Sequence, residues 1–106
     1  MEKVNPTKRT LAELVYLLCE QVPEGKVTTY GEIARKLGIK SYRAIGQALR
    51  KNHYSYVPCH RVVCSDGSLG GFKGKSDGQE KLRLLSKEKV IMVNNKADLD
   101  NCLFKF

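Results

Sequence analysis

Thr29-Tyr30-Gly31-Glu32-Ile33-Ala34-Arg35-Lys36-Leu37-Gly38-Ile39-Lys40-Ser41-Tyr42-Arg43-Ala44-Ile45-Gly46-Gln47-Ala48-Leu49-Arg50-Lys51-Asn52 is the stretch that decides the fold. Thr29 with Glu32 three residues on has the form of a capping box, in which the hydroxyl accepts from a free amide at the start of a helix. The helix runs through Ile33, Ala34 and Leu37, and Gly38 ends it. Ser41 caps the next helix, Tyr42 to about Asn52, so two short helices flank the turn Gly38-Ile39-Lys40 and read as a helix-turn-helix. In the second helix Ile45, Ala48 and Leu49 share a core-facing stripe, leaving Arg43, Gly46, Gln47, Arg50 and Lys51 to face elsewhere. Such a face is either solvated or a nucleic-acid contact. The contact is favoured because the charge sits on the helix that these motifs present to DNA. Ala44 and Gly46, small residues between the charges, permit close backbone approach to a groove as narrow as the minor groove.

Outward from this unit, Thr10-Leu11-Ala12-Glu13 is a further capping box that opens a helix to about Gln21, with Leu11, Leu14, Val15 and Leu18 on one face. Val22-Pro23-Glu24-Gly25 stops it. Downstream, Cys64 to Gly74 is a glycine-rich loop, and a helix from about Asp77 to Lys87 follows, packing through Leu82, Leu84 and Leu85. Val90-Ile91-Met92-Val93 is a short strand candidate. In the tail, Leu103, Phe104 and Phe106 point to docking. The expected fold is mainly α, a winged-helix-like three-helix DNA-binding domain with a few short strands. One domain spans 1–106, with its core at about 10–93 and a C-terminal tail at 94–106.

Between the helix-turn-helix and the glycine loop lies Tyr56-Val57-Pro58-Cys59-His60-Arg61-Val62-Val63. A cysteine attacks as its thiolate, and at neutral pH an adjacent base or cation is the usual means of forming it. His60 and Arg61 are both candidates. In one continuous strand Cys59 and His60 would point to opposite faces, so direct contact favours a turn or helix start after Pro58, or a bridging water. A buried structural cysteine is the alternative. A metal site using His53, Cys59, His60 and Cys64 is disfavoured because paired ligands of the Cys-x-x-Cys kind are missing. A Cys59–Cys64 disulfide would close a very short loop, and Cys19 and Cys102 follow no framework pattern, so reduced thiols are expected. Glu88 sits at a helix C-terminus, where a negative charge opposes the macrodipole. It is therefore either solvated or held by a partner such as a histidine.

The chain has 106 residues, a formal charge of +8 and a pI near 9.5, which suits a polyanionic partner, most simply nucleic acid. No run approaches the length of a membrane span, so no membrane partner is expected, and the basic start leads into no signal-peptide core.

Taken together, Val27-Thr28-Thr29-Tyr30-Gly31-Glu32-Ile33-Ala34, Arg43 to Asn52, Pro58-Cys59-His60-Arg61-Val62 and Lys81-Leu82-Arg83-Leu84-Leu85-Ser86-Lys87-Glu88 resemble the O6-alkylguanine-DNA alkyltransferases over about Thr10 to Val93. These repair proteins move the alkyl group from guanine onto their own cysteine. The resemblance implies that Cys59 is the acceptor, that His60 activates it through a water, and that Glu88 orients His60. It implies that Asn52 braces the turn carrying the cysteine motif and that Tyr30 donates a proton to the departing base. It also implies that Arg43 enters the duplex in place of the flipped nucleotide, that the Cys59 and Val62 carbonyls read the guanine amine, and that the Lys73 amide meets O6. The reaction needs no cofactor and no metal, and each molecule acts once.

The implied partner is double-stranded DNA containing O6-alkylguanine, bound through the minor groove by a monomer. The expected location is the cytoplasm, with the nucleoid, in a prokaryote or the nucleus in a eukaryote. Many members carry an additional N-terminal domain, whereas Met1 to Arg9 precede the first helix here. Tyr42 stands where the family often has a small residue, and Phe72 where a tyrosine is common. The rival implied by the same resemblance is a non-catalytic alkyltransferase-like lesion binder. Such proteins typically replace the acceptor, often by tryptophan, and this chain has Cys59 and no tryptophan. A helix-turn-helix regulator sensing through Cys59 would leave Tyr30, Asn52 and Glu88 without roles.

Overall fold

The computed structural model describes residues 10–70 and 79–106. Helix α1 spans Leu11–Gln21, and the Thr10 hydroxyl accepts from the Glu13 amide at 3.2 Å, the capping that the sequence predicts. Strand β1, Thr28–Thr29, leads directly into α2, Tyr30–Leu37, where the Thr29 hydroxyl caps the Glu32 amide at 3.0 Å. Gly38 closes α2 at φ 72, a left-handed conformation open to glycine without steric cost. Helix α3 spans Tyr42–Arg50, capped by the Ser41 hydroxyl on the Ala44 amide at 3.1 Å. It ends two residues before the expected Asn52, which instead turns back beneath it, its amide on the Leu49 carbonyl at 3.1 Å.

The three helices pack around Val15, Leu18, Cys19, Ile33, Ala34, Ile45, Ala48 and Leu49, which include the whole predicted stripe of α3. The Tyr16 hydroxyl donates to the Ala48 carbonyl at 2.7 Å and ties α1 to α3. This core also takes in Val57, Cys59 and Val62, so the cysteine segment is built onto the helix-turn-helix rather than appended to it.

The segment is not one strand. Cys59–Arg61 form a 3-10 turn, and β2, Val62–Val63, follows at once, pairing in parallel with β1 (Thr28 opposite Val62, Thr29 opposite Val63). This pairing fixes the Tyr30 end of α2 beside the cysteine turn.

Helix α4 is described over Gln79–Lys87; the expected start at Asp77 lies outside the described residues. Lys89, at φ 64, gives its end a Schellman closure, with the Lys89 amide on the Ser86 carbonyl and the Val90 amide on the Leu85 carbonyl, both at 3.0 Å. Only Met92–Val93 of the expected Val90–Val93 strand is extended into pairing, as β3, antiparallel to β4 at Lys96–Ala97. Asn94 and Asn95, at φ 53 and 63, make the two-residue turn.

A short α5, Leu99–Cys102, follows. Ala97 and Cys102 join Val27, Val63, Leu69, Leu85 and Val90 in a second core cluster, so the core continues past Val93 into the stretch expected to be a tail. The docking expected of that tail is observed. Leu103 bridges Val27, the Phe104 amide donates to the Val27 carbonyl at 2.7 Å, and Phe106 packs on the first cluster. The architecture is a mainly helical, winged-helix-like domain.

Candidate active site and DNA-facing surface

The 3-10 turn settles the local geometry around the cysteine. With three residues per turn, neighbouring side chains diverge by about 120° rather than pointing to opposite faces. Cys59 is therefore buried in the first core cluster while His60 and Arg61 reach toward the end of α4. The Arg61 amide on the Pro58 carbonyl at 3.0 Å and the Val62 amide on the Cys59 carbonyl hold the turn. Asn52, itself buried, donates from its side-chain nitrogen to the Val57 carbonyl at 3.3 Å and accepts from the Tyr54 amide at 2.9 Å. It thereby fixes both ends of the loop that delivers Cys59.

His60 Nε2 lies 2.9 Å from Glu88 Oε2, the pairing that a carboxylate at an unfavourable helix end calls for. Arg61, offered by sequence as a direct activator of Cys59, does something else. Its Nε and Nη2 grip Glu88 at 2.9 and 2.7 Å, and its Nη1 donates to the Val22 carbonyl at 2.8 Å. The guanidinium thus locks the carboxylate, and the carboxylate orients the imidazole.

Burial alone would raise the Glu88 pKa, but the hydrogen bonds from Arg61 and His60 prevail and hold it below the usual carboxylate range. Burial lowers the His60 pKa below 6.5, and Glu88 only partly opposes this. A neutral His60 that donates its Nε2 proton to Glu88 leaves Nδ1 with a lone pair to accept a proton.

On the other side of Cys59, Tyr30 opens α2. Burial, then the neighbouring thiols of Cys64, Cys59 and Cys19, push its hydroxyl up to about 12, so it keeps its proton. Lys81, unmarked by sequence reasoning, is 1% exposed, and its ammonium stands 5.8 Å from the Tyr30 ring centroid. Burial brings its pKa down to about 8, against the pull of the three thiols. Burial also raises Cys19 to about 12 and lifts Cys102, whose Sγ contacts the Asp98 carbonyl at 2.9 Å, which disfavours the thiolate in both. Val62 is buried in β2, beside the cysteine turn. Lys73, with Phe72, lies outside the described residues.

A cleft of about 420 Å³ opens beside this corner; Tyr56, Pro58, Cys59, His60, Leu84 and Glu88 are among its lining residues. The outer face of α3 is built differently. Tyr42, Arg43, Gln47, Arg50 and the following Lys51 are exposed, Ala44 and Gly46 are partly so, and a side chain at Gly46 would project into open space. The predicted DNA-binding residues thus share one open, basic surface.

An exposed helix-turn-helix surface joined through one core to a buried cysteine with an oriented histidine is the arrangement of a DNA-binding domain that carries a candidate nucleophile. Residues 10–90 match the DNA-binding domain of 6-O-methylguanine DNA methyltransferase, and the chain belongs to that family. It is 43% identical over 96 residues to a bifunctional methyltransferase/endonuclease of Picrophilus torridus, covering 89% of this chain and 32% of that protein. It is 49% identical over 82 residues to the methylated-DNA–protein-cysteine methyltransferase of Candida glabrata, covering 76% and 39%. The chain therefore spans about a third to two fifths of the length of these relatives. In structure it superimposes on S. pombe Atl1, solved with damaged DNA containing O6-carboxymethylguanine, at a TM-score of 0.79 with 32% identity, covering 90% of this chain and 94% of that one.

Proposed function

We propose that the protein extrudes O6-alkylguanine from the minor groove of duplex DNA, as a monomer, and transfers the alkyl group irreversibly to Cys59. The observation that carries this is the chain of contacts from Arg61 through Glu88 to His60, next to Cys59 on the same turn. His60 Nδ1, directly or through a water, takes the Cys59 proton and passes it to solvent in the adjoining cleft. The thiolate forms an S–C bond as the O6–C bond breaks, and the electron pair stays on the guanine. Tyr30 delivers a proton to the guanine ring, which makes the base a neutral leaving group, and then recovers one from solvent. Arg43 fills the vacated space in the stack, while Arg50 and Lys51 attract phosphates. Extrusion costs a few kcal/mol, which contacts of this kind must offset. The backbone carbonyls of Cys59 and Val62 and the amide of Lys73 read the guanine. No cofactor or metal takes part, and the thioether ends the life of the molecule as an enzyme.

The likeness to Atl1, of which nearly the whole length is matched, favours a second reading, lesion binding without transfer. Peptide mapping after incubation with an O6-methylguanine duplex separates the two. Methyl on Cys59 supports transfer, whereas tight lesion binding with every cysteine unmodified supports the second.

A further inference from the structure

Tyr42 is the most exposed large apolar side chain among the described residues, at 57%, yet it is not loose on the surface. It occupies the first position of α3, directly before Arg43. Its ring leans across the helix-turn-helix onto the first turn of α2. A Cβ placed on Gly31 would stand 3.3 Å from the Tyr42 hydroxyl and 3.5 Å from its Cζ. Gly31 follows Tyr30, the tyrosine beside Cys59. The phenol therefore bridges the interval between Arg43 and the Tyr30 side of the site, one edge seated on α2 and much of its surface open. An aromatic ring resting on α2 and flanked by the exposed cations Lys40 and Arg43 has the chemistry of a base-stacking platform, since every base offers a π face and every nucleotide a phosphate.

We propose that Tyr42 is a substrate-contacting residue that stacks on the extruded purine nucleotide between the Arg43 finger and the Cys59 pocket, holding it outside the helix. The inference rests on the extrusion function proposed above and adds a residue to it. Stacking of this kind favours the extruded state over the paired one, so its loss should weigh more on a duplex that must be opened than on a free base bound in the same site.

Wild type, Tyr42→Phe, Tyr42→Ala and Gly31→Ala are compared in two measurements. One is the single-turnover rate of Cys59 alkylation, methyl from an O6-methylguanine duplex and benzyl from the free base O6-benzylguanine. The other is the ratio of affinities for lesion and undamaged duplex. Tyr42→Ala should lower the duplex rate and the affinity ratio on the order of tenfold and the free-base rate by distinctly less, because the free base loses the stack but needs no extrusion. Tyr42→Phe, which keeps the ring, should match wild type. Gly31→Ala, whose methyl asks the end of the phenol to give by a few tenths of an ångström, should lower the duplex rate less than Tyr42→Ala does. Equal duplex behaviour of Tyr42→Ala and wild type overturns the proposal, as does an equal loss in the free-base reaction, which would make the ring a prop for α2. Absence of methylation in wild type removes the transfer reaction alone, and the affinity ratio then decides the role of Tyr42 by itself.

Discussion

The corner made by His60, Arg61 and Glu88 and the outer face of α3 are built on opposite terms. In the corner, three ionisable side chains 12–16% exposed satisfy one another and a backbone carbonyl at 2.7–2.9 Å. On α3, the cations Arg43 and Arg50 stand in solvent on a face whose middle, Gly46, projects nothing. The first arrangement is pre-organised, so it suits chemistry that tolerates little misplacement. The second leaves its charges free for an external polyanion, so its contribution depends on salt. Two variants in the corner should therefore change rate and stability together, and variants on the face should change how duplex DNA is bound and opened while leaving stability unaltered.

The largest expected effect lies at Cys59. Cys59→Ser should abolish alkyl transfer and retain lesion binding, because a serine hydroxyl is a far weaker nucleophile of nearly the same size. Mass spectrometry together with a gel-shift titration checks both halves, and a serine variant that still transfers would remove Cys59 as acceptor.

Arg61→Ala should come next. It leaves Glu88 its His60 contact but removes the two Arg61 hydrogen bonds, and it deprives the Val22 carbonyl of its donor, at a cost of about 2–3 kcal/mol in unfolding free energy. The transfer rate should fall as well. Glu88→Gln, which keeps the shape and still accepts hydrogen bonds, should slow transfer with a smaller loss of stability. Denaturant melts alongside single-turnover rates test this, and unaltered rates in both variants would detach the corner from the chemistry.

The pH response sharpens the same point. Both the His60 and the Glu88 pKa are lowered by folding, so the unfolded chain binds more protons than the native one as pH falls through the ordinary values of 6.5 and 4.5. Their stabilisation is present above those values and is lost progressively on acidification. With His60 as the neutral base of the proposed transfer, the rate should stay level through 6.5 and decline only at lower pH. Glu88→Gln should shift that decline further toward acid, because the carboxylate raises the histidine pKa. A decline centred above 6.5 would contradict the geometry.

On the open face, Arg43→Ala should impair repair of duplex DNA while leaving reaction with free O6-benzylguanine nearly intact. The smallest effects belong to Arg50→Ala and Lys51→Ala, each of which should weaken binding without altering rates under saturating DNA and reduce the salt slope by about 1. Equal loss of both reactions in Arg43→Ala would assign it to the fold rather than to extrusion.

Much of the frame was legible because it is local. Thr10, Thr29 and Ser41 cap as read, and Ile45, Ala48 and Leu49 are buried as their spacing requires. The union of His60 with Glu88 was legible only through resemblance and through the electrostatic oddity of an acid at a helix end, since the two lie 28 residues apart. The grip of Arg61 on Glu88, across 27 residues, carried no sequence signal, because an arginine beside a reactive cysteine suggests the nearer partner.

Lys81 was equally silent. A lysine in a helix reads as solvated, and only the tertiary packing of α4, which brings it near the Tyr30 ring, reveals that it is buried. Strands β1 and β2, of two residues each, are too short for alternation to be visible. The β3–β4 hairpin did leave a trace, as Asn94-Asn95 is a pair suited to a two-residue turn with positive φ.

The most direct test of the account is the intact mass and peptide map of the protein after incubation with an excess of O6-methylguanine duplex. One methyl group per chain, located on Cys59 with Cys19, Cys64 and Cys102 unmodified, is the predicted result. An unchanged mass despite lesion binding, or methyl on any other residue, would contradict it.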